Sequence, residues 1–337
     1  MTLVEQPAPL AFERLGSRSP LAVPLMAVLV YPFLLMLFHA YVSEPSGLDG
    51  IGAVIALALA FTVPIPGLLV AGRTEVSVGV RRFAYASVAA PTLYVFLGVV
   101  QALLGSTLPD PLVWCVLWLG LATLALLSGR QQAGAFVTGG LGRWRVAHGV
   151  SGAILCLYVL FHLANHLTGL VGPELHAQVM DLGRTVYRAG FIEPLLVMAF
   201  VFQVVSGLHL AWRWSARVQD RLRTLQVASG VFLSLFVLGH MNSVFIYART
   251  YLGIPTDWNF ATGAPTGLLF DPWNIRLVPH YTLGVFLVLV HLLLGLRVVM
   301  QAHGVQERTV RLIWRSGLLA CAAIALAIIA GMCGVRL

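Results

Sequence analysis

The sequence predicts an all-α, polytopic transmembrane helical bundle of about nine transmembrane helices, with helix pairs repeated along the chain. Of its 337 residues 59% are apolar and only 10% charged, and the mean hydropathy is +0.88, a balance outside the range of soluble domains. Apolar stretches long enough to cross about 30 Å of hydrocarbon recur at 21–42, 51–72, 83–104, 111–128, 146–170, 191–212, 225–247, 277–300 and 317–333. The first lacks the short apolar core and small-residue cleavage site of a signal peptide, which predicts a retained helix. Cys115, Cys156, Cys321 and Cys333 all fall inside these stretches with no paired spacing, so neither a zinc site nor covalent haem attachment is suggested.

Charge alternates from loop to loop. With a cytoplasmic N-terminus, sixteen of the 21 basic residues, Arg14, Arg18 and Arg130 among them, share the inner segments with five acids. Arg184, Arg188, Arg249, Arg276 and Arg336 share the outer segments with eight, Glu44 among them. Arginine near helix ends stays cytoplasmic. The expectation is a multi-pass protein of a bacterial-type inner membrane, with its N-terminus inside and its C-terminus outside. Topology explains the net charge of +8 without a nucleic-acid partner.

Two helices carry a histidine in one frame. Ser151-Gly152 precedes His162 and Ser229-Gly230 precedes His240, eleven positions from serine to histidine in both. A weaker copy lies upstream: Leu93-Tyr94-Val95 aligns with Leu157-Tyr158-Val159, Gln101 with Asn165, and Asp110-Pro111-Leu112 with Glu193-Pro194-Leu195. There Gly98 takes the place of His162. The chain accordingly divides into a four-helix N-terminal extension, 1–140, and a five-helix bundle, 141–337. If the weaker alignment is real, the extension is a cofactor-free repeat of the bundle.

A histidine at bilayer depth is costly and normally faces a partner or a cofactor. At 1.5 Å per residue, His162 lies about 24 Å beyond residue 146 and His240 about 22 Å beyond residue 225, one level toward the outer leaflet. His291 and His209 lie six and four residues before Arg297 and Arg213, a second, inner level roughly 10–15 Å away. Haem b suits such pairs, because two imidazoles on facing helices ligate one iron while the macrocycle fills an apolar bundle. Gly152, Gly230 and Gly295 would let a flat ring approach the backbone. Arg145 and Arg223 at the inner level, and Arg184, Arg249 or Arg276 at the outer one, are candidate propionate partners.

Residues 143–303 resemble the membrane cytochrome b subunit of succinate dehydrogenases and fumarate reductases, the single-chain, five-helix, dihaem kind. The resemblance rests on the two Ser-Gly to histidine frames, on His162-Leu163-Ala164-Asn165-His166, and on His291 to Gly295. It implies that His162 and His240 jointly hold a distal haem and that His291 helps hold a proximal one. Electrons would pass between haem and a membrane quinone, and flavoprotein and iron-sulfur subunits would dock on the cytoplasmic face. The chain would then be an electron-transfer subunit and not a complete enzyme. It departs from the family where Gln203 aligns with the proximal-haem histidine. The inner site is therefore served by His209, or else its haem is absent or singly ligated, leaving one or two haems per chain. The four N-terminal helices also fall outside the family pattern.

Plainer readings stand beside these. His39 and His280 near helix ends, and His176 and His303 in loops, read as interfacial or solvated side chains. His148 and His166 share a face with His162, and His166 could orient a ligand, contact a propionate or quinone, or hydrogen-bond within the bundle. Glu193 reads as a favourable charge at a helix N-terminus, and the tryptophans of the outer loop 250–276 as interface anchors or as a cap over a pocket. The alternative function is a haem-free, histidine-lined transporter or metal-handling protein.

Overall fold

The computed structural model describes residues 20–43, 49–128 and 141–337; Arg14, Arg18, Glu44, Arg130 and the boundary at residue 140 lie outside the described residues. Every regular element among them is helical. Eight spans are long and apolar enough to cross a bilayer, and a bent helix pair makes a ninth. The chain is thus a multi-pass membrane protein, and its lipid-facing surface is visible on the helix at 141–168, where Val146, Val150, Ile154 and Leu157 lie exposed along one side.

The first half is α1 (Ala22–Ser43), α2 (Asp49–Thr62), α3 (Pro64–Ala71), α4 (Val78–Val88), α5 (Ala90–Leu103) and α6 (Asp110–Leu127). Helices α2 and α3 form one span interrupted at Val63, because Pro64 has no N–H to continue the ladder. The stretch expected as one helix at 83–104 is instead α4 and α5, bent by 72°. Pro91 sits in the first turn of α5 and forces the break. Helix α4 also starts earlier than expected: Ser77 accepts the Val80 amide as N-cap. Arg81 is buried because its guanidinium closes the preceding turn on the carbonyls of Arg73 (3.1 Å) and Val76 (3.3 Å).

An aromatic cluster fills this half. Tyr31, Tyr94, Trp114, Trp118 and Phe83 meet mostly edge to face at centroid separations of 5.1–6.3 Å. The indole of Trp114 donates to the Val28 carbonyl at 2.6 Å. Contacts of this geometry stabilise by about 0.5–1.5 kcal/mol each beyond the area they bury.

The second half is α7 (Leu141–Thr168), α8 (Pro173–Tyr187), α9 (Ile192–Trp214), α10 (Arg221–Met241), α11 (Trp258–Thr262), α12 (Gly267–Phe270), α13 (Leu277–Ala302) and α14 (Glu307–Met332). Helices α7, α9, α10 and α13 form a ring in that order, and α14 packs outside it on α13 and α7. Helix α10 joins the halves by also packing on α4 and α5, with Gly239 facing Phe96. Beyond Met241 the span continues as a π-helix over Asn242–Leu252. The last span begins ten residues before the expected position 317, because three arginines lengthen it beyond its apolar stretch.

Helix α8 is an amphipathic segment where the sequence suggested loop. Pro173 and Glu174 start it and Arg184 lies in its last turn. With the segment 253–276 it caps one end of the ring. Arg184 and Arg188 donate to the Thr256 carbonyl and hydroxyl, each at 2.9 Å, and tie the two parts together.

Candidate cofactor site: two facing histidine pairs

The expected partners His162, on α7, and His240, on α10, meet across the ring with centroids 6.0 Å apart and planes inclined by 69°. Two imidazoles bound on opposite sides of one metal, each with an N–metal bond of about 2.0–2.1 Å, place their centroids roughly 6.3 Å apart. The pair therefore has the spacing that trans ligation requires. Tyr158 stacks on His162 (5.7 Å, 15°) and Phe236 on His240 (5.9 Å, 8°), so each imidazole has one face held by an aromatic ring one turn away.

Further histidines extend from this pair toward α8. His166 lies 4.7 Å from His162, and His176 lies 5.4 Å from His166. Asn165 meets His176 Nε2 at 3.3 Å, and Trp258 closes over His176 at 4.6 Å. Gly169 leaves the room that this indole fills. His176 is thus a buried residue of α8 and not the solvated loop histidine expected. Burial, reinforced by Arg184 and opposed by Asp257, pushes its pKa down from 6.5 to about 4. His280 is also buried, against Phe236 at 4.7 Å. His303 is exposed and meets the Val299 carbonyl at 2.9 Å, and His39 contacts Ser43 one turn on, as their plain readings expect.

The second level differs from expectation. His291, on α13, faces His148 of α7, with centroids 6.5 Å apart and planes nearly perpendicular at 84°. His209 is exposed and lies against Trp144, 5.1 Å away. Equal rise along a helix does not fix which face a residue takes. Six residues on from Gln203, His209 points roughly a third of a turn away from it, at 3.6 residues per turn. His148 was legible only in part: its fourteen-residue offset puts it on the face of His162, but a span starting at 146 leaves it at the membrane edge. Because α7 begins at Leu141, His148 lies well inside the helix.

Each Ser-Gly pair turns out to hold a side chain from a neighbouring helix. His148 Nδ1 lies 2.8 Å from Ser206 Oγ, and a Cβ on Gly207 would approach its ring to 3.2 Å. His291 Nδ1 lies 2.9 Å from Ser229 Oγ, and a Cβ on Gly230 would approach to 3.3 Å. At Gly152 the visitor is Gln203, whose amide nitrogen would lie 2.8 Å from an added Cβ and which donates to the His148 carbonyl at 3.3 Å. A Cβ on Gly295 would meet nothing within 4 Å. The Ser206-Gly207 pair has no place in the eleven-residue frame, which is why the frame does not reveal it.

The arginines divide by end. At the α8 end Arg249 is paired with Glu193 and Arg276 with Asp110, both at 2.6 Å, and Arg184 is occupied by Thr256 and Asp181. Internal partners therefore already engage the three arginines expected for outer propionates. At the opposite end Arg145 and Arg223 gather around Trp214, 6.0 and 5.0 Å from its ring, with Arg297 within electrostatic reach of Arg223. No ion pair among the described residues engages Arg145 or Arg223.

The donor set consists of facing pairs. Among the described residues, no group of three or more His, Cys, Asp or Glu side chains converges as a metal site by itself. A metal that carries four nitrogens in its own macrocycle would ask the protein for two further donors, and each pair brings two imidazoles to a spacing compatible with that. No protein-family model, curated protein or solved structure matches this chain.

Proposed function

We propose that this protein is a transmembrane b-type cytochrome that passes electrons between haem and a membrane quinone, similar in role to the membrane anchor of succinate dehydrogenases and fumarate reductases. The observation that carries the reading is the His162–His240 pair, two neutral-capable ligands facing each other at 6.0 Å between spans that share no sequence neighbourhood. Haem b, when bound, supplies a one-electron redox couple. The residues of this chain would hold and orient it: Tyr158 and Phe236 lie against the ligand rings, and α7, α9, α10 and α13 surround them. Arg145 and Arg223 supply positive charge for propionates at their end of the ring.

The arginine-rich end is proposed as the cytoplasmic face of an inner membrane and the place where flavoprotein and iron-sulfur subunits dock. The α8 end is then outside. One observation favours a second reading: His162, His166 and His176 run contiguously toward α8, as a haem-free protein handling protons or metal ions would need. A reduced-minus-oxidised spectrum of protein purified from haem-sufficient cells separates the two. A b-type signal is expected, with one spectral component that both His162→Ala and His240→Ala remove; absence of any such signal from the unaltered protein would leave the second reading standing.

A further inference from the structure

We infer that His148 and His291 are the axial ligands of a second haem at the arginine-rich end, and that Ser206 and Ser229 are their positioning residues. The inference rests on the cytochrome reading above and extends it to a site built differently from the one the family alignment implies.

The ring spacing of 6.5 Å fits trans ligation as well as that of the first pair does. The serines add a chemical reason. Ser206 Oγ–H donates to the Gln203 carbonyl at 3.3 Å and Ser229 Oγ–H to the Gln226 carbonyl at 3.1 Å. A hydroxyl that donates to its own helix carbonyl has its oxygen left to accept from Nδ1–H of the imidazole beside it, 2.8 Å away at His148 and 2.9 Å at His291. In that arrangement both rings are the Nδ1–H tautomer, with both Nε2 lone pairs free to bind metal. Gly207 and Gly230, each directly after its serine, let the ring lie against the helix backbone.

The same arrangement explains why Gln203 does not leave the site without a ligand. Its amide is turned to Gly152 and to the His148 carbonyl, so it supports the helix segment that carries the ligand. Along α7 the fourteen residues from His148 to His162 separate the two levels by roughly 21 Å, and along α10 the ten residues from Gly230 to His240 give roughly 15 Å. The levels are thus distinct sites. Arg145 lies three residues from His148 and Arg223, whose guanidinium donates to Gln226 Oε1, six residues from Ser229, so positive charge that no ion pair among the described residues engages sits at the level where anionic propionates would be held.

The test is haem stoichiometry by pyridine haemochrome assay, with redox titration of the components, on the full chain in detergent. Two haems per chain are expected. His148→Ala and His291→Ala should each leave one haem and remove the same spectral component, while His209→Ala should change neither. His148→Met retains a ligand and should keep that component but raise its midpoint potential, a result that does not depend on the alanine variants folding. Ser206→Ala and Ser229→Ala should weaken retention of that haem by about 10–100-fold and raise its potential without moving the other. One haem that survives His148→Ala unchanged, or a second component that requires His209, would overturn the inner site alone. No haem in the unaltered protein would overturn the cytochrome reading itself.

Discussion

Arg276 donates to Asp110 across 2.6 Å, joining the start of α13 to the start of α6 inside the protein, where the two side chains are only 8% and 17% exposed. Gln101 donates to the other carboxylate oxygen at 2.5 Å, and the guanidinium lies over Tyr94 and Trp273. The space comes from Gly98, where an added Cβ would stand 2.5 Å from Arg276 Nη1. Gly98 is the position that aligns with His162. Asp110 aligns with Glu193, which is held in the same way by Arg249 at 2.6 Å. In both halves a carboxylate in the first turn of a helix takes an arginine from a later segment. The Asp110 pair is the more buried of the two, with Gly98 giving it room.

Removing one member of such a pair leaves the other charge buried and uncompensated, a loss of about 3–5 kcal/mol. Asp110→Ala and Gly98→Ala should therefore both lower the thermal unfolding midpoint in detergent clearly. Glu193→Ala, whose pair is more exposed, should lower it less. Equal midpoints for Asp110→Ala and the unaltered protein would show that the pair only decorates the junction.

The cap should respond to pH through His176. Its folded pKa of about 4 lies below the ordinary 6.5 because the buried site favours the neutral ring. The stabilisation is fully present above pH 6.5 and is lost progressively as pH falls from 6.5 toward 4. Protection factors of the α8 amides, taken relative to intrinsic exchange at each pH, should fall over that window, and His176→Phe should flatten the response. A loss of protection that persists unchanged in His176→Phe would assign the effect elsewhere.

Helix α13, a single span, separates the loop 250–276 from the loop that joins α13 to α14 and sets them on opposite faces. Thr266 and Gln306 are exposed on those two loops. In a cysteine-free background, Thr266→Cys should react with an impermeant maleimide from outside intact cells and Gln306→Cys only after lysis. The reverse pattern would invert the orientation read from arginine asymmetry.

The spans were legible because a membrane crossing demands about twenty apolar residues, a signal that survives without tertiary context. Features that depend on neighbours were not. The 72° bend before Pro91 had a local cue, but a continuous apolar run hid it. Helix α8 is too polar to register as a span, although Pro173, Glu174 and Arg184 mark its ends. The π-helix after Met241 has no signature in composition. At the site, the His162–His240 pair follows from a shared frame and depth. The His148–His291 pair depends on how far α7 extends and on its rotation, neither of which hydropathy reports.

The glycines that follow the serines set how closely each imidazole approaches the helix backbone. In Gly207→Ala the new methyl stands 3.2 Å from His148 Cε1, and in Gly230→Ala 3.3 Å from His291 Cε1. Neither ring can retreat freely, because its Nδ1 is tied to the serine one residue earlier. The imidazole must tilt about that bond, which swings Nε2 away from its partner ring. Each substitution should therefore reduce or shift the inner spectral component while leaving the one assigned to His162 and His240 intact. Gly149→Ala is the control. It adjoins His148 in sequence, but its added Cβ meets nothing within 4 Å, so it should gain up to about 1 kcal/mol of helix propensity and leave both components alone. If Gly149→Ala and Gly207→Ala disturbed the spectrum equally, the effect would belong to α7 and α9 as helices and not to the contact between glycine and ring.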